Sequence, residues 1–186
     1  MTSSDATIDP NVQAIRESFG RVVYSHKTHE KAREIETSKA TVVKWVNIVL
    51  TTLTSTTLVT TIFTNQKILL YVGSILSTLA LAFVIFQLSF DPAKEAERHR
   101  ATAKALWYVR EQYAHLLTDI KADPSAVNIS QRRDELVEEL KRIYELAPDT
   151  SSKVYKAAQK ALKISEDMTF SDEEINKFLP GSLHVN

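Results

Sequence analysis

The densest run of side chains able to do chemistry is His26-Lys27-Thr28-His29-Glu30. On a helix, His26 and Glu30 share a face, which would suit a pair of metal ligands. The spacing differs from the His-Glu-x-x-His arrangement of zinc proteases, and no further ligands accompany it. A solvated helix face is therefore the expectation. Ser25-His26 supplies a nucleophile and a base, but the acid and oxyanion elements of a triad leave no sign in the sequence. The chain contains no cysteine, which excludes disulfides, thiol catalysis and cysteine metal sites. It has three glycines and no glycine-rich loop to cradle phosphate. The sequence thus predicts no enzyme, no cofactor and no metal.

Two basic clusters remain that could hold an anion. Arg16, Arg21, Lys27 and Arg33 precede the apolar region, and Arg98, His99, Arg100 and Lys104 follow it. Basic residues in these places also serve as topology determinants touching lipid head groups. The sequence leaves both ligands open, a nucleotide or a lipid. Arg132-Arg133 reads as an exposed helix face. With 23 basic and 23 acidic residues the net charge is zero, so bulk nucleic-acid binding is not expected.

A third constellation is uncharged. Asn47, Thr51, Thr54, Ser55, Thr61 and Asn65 recur largely at steps of three and four, interrupted by Leu58, which puts them on one face of a helix. Such a face can line a water-filled path between copies of the chain. It can equally act as glue between helices, where hydroxyls and an amide find partners. Gly73, Ser77 and Ala80 form a small-residue face on the following segment, which predicts a close helix-helix contact.

The elements that must carry these residues are two charge-free segments. Trp45–Gln66 and Ile68–Phe90 run for 22 and 23 residues, flanked by Lys44, Lys67 and Asp91 and hinged at Thr64-Asn65-Gln66-Lys67. At helical rise each spans roughly 33 Å, enough to cross a hydrocarbon core. Mean hydropathy over the chain is −0.17, because two apolar segments are averaged with charged flanks. The second segment is rich in Leu, Ile, Val, Phe and Ala. The first is rich in Thr, which a membrane tolerates because the hydroxyl can bond back to its own helix. A transmembrane hairpin is the expectation. Lys27, Lys31, Arg33, Lys39 and Lys44 lie shortly before Trp45, and Lys94, Arg98, Arg100, Lys104 and Arg110 shortly after Phe90. Lys67 alone lies in the turn. The positive-inside rule then places both termini in the cytoplasm.

The flanks read as helices as well. Residues 1–10 are expected to be a disordered tail. Val12, Ile15, Phe19, Val22 and Val23 give helical spacing over 11–44, with Gly20 as a weak point. No proline separates this stretch from Trp45, so one helix could run from the flank into the bilayer. Asp91-Pro92 caps a helix over Pro92–Ala122, followed by helices near Ser130–Leu146 and Ser151–Ile164. Ser171-Asp172-Glu173-Glu174 is a capping box opening a short helix that stops at Pro180-Gly181, before a tail at 181–186. The fold class is all-α: a transmembrane hairpin, 45–66 and 68–90, with a helical bundle built from 11–44 and 91–180.

The order of several blocks resembles a known family. They are Arg21-Val22-Val23-Tyr24-Ser25-His26-Lys27-Thr28-His29-Glu30-Lys31, Leu106-Trp107-Tyr108-Val109-Arg110-Glu111-Gln112-Tyr113, Arg132-Arg133-Asp134-Glu135-Leu136, Ala147-Pro148-Asp149-Thr150-Ser151 and Phe170-Ser171-Asp172-Glu173-Glu174-Ile175. Together they resemble the SLATT proteins, two-transmembrane effectors associated with bacterial nucleotide-synthase and nucleotide-sensor conflict systems. The resemblance implies an antiphage effector of the bacterial inner membrane, triggered by a partner protein or a nucleotide signal. It supplies no catalytic residues. Two helices cannot enclose a channel, so a pore requires a homo-oligomer of four or more copies, with neutral lining and poor ion selectivity. The alternative is a membrane-anchored scaffold whose bundle recruits a partner.

Overall fold

The computed structural model describes residues 9–64, 66–125, 127–178, 180 and 184. Residues 1–8 of the expected tail at 1–10, the hinge residue Asn65 and most of 181–186 lie outside them, while Pro10 already belongs to the first helix. Helix α1 runs unbroken over Pro10–Thr64, 55 residues, about 80 Å at helical rise. The Asp9 carboxylate accepts a hydrogen bond from the Asn11 amide at 2.7 Å, and Pro10 has no amide to satisfy. Gly20 does not interrupt the helix. One glycine costs about 1 kcal/mol there, and Ile15 and Val22 on either side are anchored in the core.

The chain returns in α2, Lys67–Ser89. The turn is shorter than the sequence leads one to expect, because Thr64 and Lys67 are both helical. The Thr64 hydroxyl donates to the Thr60 carbonyl at 2.8 Å, and the Leu69 amide to the Gln66 carbonyl at 3.1 Å. Helix α3 covers Pro92–Ala122, with the Asp91 carboxylate accepting from the Ala93 and Lys94 amides at 3.0 Å. Helices α4, Ile129–Leu146, and α5, Ser152–Lys163, are capped by the Asn128 and Ser151 side chains. The capping box at Ser171 opens α6, Asp172–Asn176. This helix stops short of Pro180, since none of its residues is buried and packing gives it no reason to extend.

Helix α3 folds back along the first half of α1, α4 packs against both, and α5 packs against α1. The core sits at the end far from the hairpin, where Ile15 and Val22 meet Leu106, Val109, Tyr113, Leu116, Ile120 and Leu136. Toward the hairpin the α1–α3 seam turns small and polar: Ala32, Ala96 and Ala103 are buried there beside His29, His99 and Thr102. The hairpin itself has the opposite character. Phe63 and Leu88 are 83% and 82% exposed, with Ile62, Leu81 and Ile85 also on the outside. An apolar surface of this extent is a lipid-facing surface, not a water-facing one.

Candidate functional site

The hairpin divides the polar face of α1 in two. Asn47, Thr54 and Thr61 are half-buried in the described chain. The Asn47 side-chain amide donates to Gln87 Oε1 of α2 at 3.3 Å, a bond across the hairpin that no feature of the sequence singles out. Thr54 and Thr61 return their hydroxyls to the Leu50 and Thr57 carbonyls at 2.8 Å. Thr51 and Ser55 instead face outward with Thr52 and Thr56. Asn65 falls outside the described residues. The five described members of the expected stripe therefore occupy two faces. Successive steps of four overshoot a full helical turn, so Thr51 and Ser55 rotate past the contact with α2.

Gly73 is the one buried residue of α2 among those described. A Cβ there would meet Leu58 Cδ2 at 3.3 Å and Thr57 Cγ2 at 3.4 Å, so the two helices cross at this point. Ser77 and Ala80 lie half-buried on the same side. Leu58, which breaks the polar stripe in sequence, is the residue that packs into the glycine notch.

Below the hairpin, the His26–Glu30 run is not a solvated face. His26, Lys27, Thr28 and His29 are all buried, because α3, α5 and the segment after α5 surround α1 here. Lys27 Nζ bridges Glu30 Oε2 and Asp167 Oδ2, each at 3.0 Å. Burial opposes its charge, but these two carboxylates outweigh burial and raise its pKa. Lys27 is thus committed within the protein and does not serve as a free anion ligand. Asp167 belongs to the turn after α5, where Glu166 and Met168 adopt φ of 51° and 72°, a left-handed conformation unfavourable to both residue types. Across the seam, His29 Nδ1 lies 2.9 Å from His99 Nδ1. Burial lowers both pKa values, and the mutual repulsion of the two rings helps bring His29 to about 4. His99 was expected in an exposed cluster; its spacing to Thr102, Ala103 and Leu106 is the signal that puts it on the buried face.

The two basic clusters are redistributed. Arg16 and Arg21 lie exposed near the start of α1, and Arg21 pairs with Glu17 at 3.9 Å. Arg16 and Arg33 are about 25 Å apart along the helix, so they cannot share a small ligand. Arg98 pairs with Glu95 at 2.8 Å. Arg33 of α1, however, joins Arg100 and Lys104 of α3 around a cavity of about 540 Å³. Arg110, Trp107 and Phe170 line it too, none of which the sequence had marked as site residues.

A membrane hairpin on a helical body, with no strand among the described residues, defines a two-transmembrane helical protein. The chain belongs to the SMODS and SLOG-associating 2TM effector domain family 4, whose model matches residues 12–174. The protein is accordingly a membrane effector of conflict systems, as the ordered sequence blocks indicated. No curated protein and no solved structure matches the chain.

Proposed function

We propose that the protein is a pore-forming effector of a bacterial antiphage system. In this reading four or more copies assemble in the inner membrane, both termini lie in the cytoplasm, and a signal opens a path that permeabilises the cell as abortive infection. The signal comes from a partner protein or a soluble nucleotide, and the chain itself catalyses no step.

The observation that carries the reading is the outward hydroxyl face of α1. Thr51, Thr52, Ser55 and Thr56 are exposed, outside the contact with α2. Hydroxyls facing hydrocarbon lose the water that would solvate them. Another copy of α1, or water inside an assembly, removes that cost. Asn47 bonds across the hairpin, Thr54 and Thr61 bond back to their own helix, and none of the three is assigned to the lining.

The test replaces Thr51 and Ser55 together by Leu and measures membrane potential by dye fluorescence in bacteria given the activating signal. A pore lined by this face loses depolarisation, while Thr54→Leu leaves the outward face unchanged. Depolarisation that survives Thr51→Leu with Ser55→Leu removes the lining assignment. Protection that also survives exchange of both apolar helices for unrelated spans replaces the pore with a tethered scaffold.

A further inference from the structure

The cavity between α1 and α3 combines three properties. It holds unpaired positive charge: Arg33 and Lys104 make no ion pair or side-chain hydrogen bond among the described residues, and Arg100 reaches Glu97 only at 3.5 Å. Of the other charges at the wall, Arg110 is taken by Glu111, and Glu30 by Lys27. One wall residue, His26, is itself buried, 6% exposed, and carries a polar atom, Nδ1, without a hydrogen-bond partner. Lastly, two large aromatic side chains stand exposed at the wall, Trp107 at 48% and Phe170 at 67%.

From these properties we infer that the cavity binds a soluble phosphate ester carrying a planar ring, a ligand of nucleoside-phosphate size. Guanidinium and ammonium groups from two helices suit phosphate oxygens. The rings of Trp107 and Phe170 offer stacking surfaces. A volume of about 540 Å³ lies in the range of small-molecule sites. Phe170 is carried on the strap after α5, which Lys27 anchors through Asp167 and the left-handed residues Glu166 and Met168 turn back over α1. This gives the buried Lys27 a positioning role for the wall of the site.

A lipid head group carries phosphate too, but depth argues against it. Arg33 precedes Trp45 by about three helical turns, and Lys104 follows Pro92 by about three. At helical rise both sit roughly 18 Å from the apolar segments, whereas the head-group layer is about 5–8 Å thick. This depth rests on the membrane placement of the pore-effector reading. Binding alone is measured in the test, so a chain that forms no pore can still pass it.

The full chain, with Trp45→Phe so that Trp107 alone reports, is placed in nanodiscs of zwitterionic lipid and titrated with AMP and with inorganic phosphate. Saturable quenching by AMP at submillimolar concentration is expected, with phosphate competing weakly. Lys104→Gln and Arg33→Gln should each weaken AMP at least tenfold, and Arg132→Gln, at a residue that does not line the cavity, should change nothing. Circular dichroism confirms that the variants fold, and their exposed or half-exposed positions leave the core untouched. Absence of AMP binding up to 10 mM overturns the inference, as does binding insensitive to both substitutions. Displacement of AMP by including anionic lipid in the disc assigns the site to a head group and overturns it as well.

Discussion

Acid should loosen the α1–α3 seam through the paired imidazoles. At 2.9 Å, one Nδ1 must donate and the other must accept, so at most one ring is charged. His99 feels Glu95 and Glu36, which favour its cation, and Arg98, which opposes it; His26 opposes a charge on His29. Burial outweighs the carboxylates, and His29 is held at about 4 against 6.5 in an unfolded chain. The unfolded state therefore binds the proton more readily, so stability is full above about pH 6.5 and drains as pH falls toward 4. The whole shift is worth on the order of 3 kcal/mol, of which about 2 kcal/mol is lost by pH 5. Guanidinium unfolding in detergent, followed by tryptophan fluorescence, measures this at pH 7.5 and 5.0. The native chain should lose about 2 kcal/mol more than His29→Gln over that interval. Equal losses in the two proteins, or an NMR titration of His29 centred near 6.5, would refute the argument.

Three further outcomes follow from packing. Gly73→Ile drives a branched side chain into Leu58 and Thr57, and should separate the hairpin helices, read as a loss of crosslinking between cysteines placed at Asn47 and Gln87. Gly20→Ala meets nothing within 4 Å and should raise stability by about 0.5–1 kcal/mol, seen as a higher denaturation midpoint. Lys27→Met strips Asp167 and Glu30 of their shared partner. It should cost about 2 kcal/mol and leave the 165–170 strap open to proteolysis, and a strap equally resistant in the variant would count against the anchor.

The helical elements were legible because their punctuation is local. Asp91-Pro92, Ser151 and the Ser171–Glu174 box each act within a single helical turn, so the starts they mark in the sequence lie beside those in the structure. The hairpin was legible from the lack of charge over 45–66 and 68–90. What the sequence concealed depends on partners distant in the chain. His29 meets His99, 70 positions away, and Lys27 meets Asp167, further still. Neither side chain reveals its burial through its own type, since Lys and His in a helix are usually exposed. The stripe from Asn47 to Asn65 was real as a periodicity. The division of its described members between an inner and an outer face depended on where α2 lies, which the glycine notch at Gly73 and the Asn47–Gln87 bond mark.

The brevity of the turn between α1 and α2 bears on how the protein enters a membrane. With Thr64 and Lys67 already helical, only Asn65 and Gln66 link the spans. A hairpin of this kind carries almost no hydrophilic mass to the far side of the bilayer. Lys67 is its one charge, and burying such a charge in mid-transit costs about 3 kcal/mol on insertion scales. The Leu, Ile, Val and Phe of α2 offset that cost directly, whereas the Thr-rich half of α1 does not. In a membrane-spanning hairpin the favourable free energy of insertion therefore comes mostly from α2.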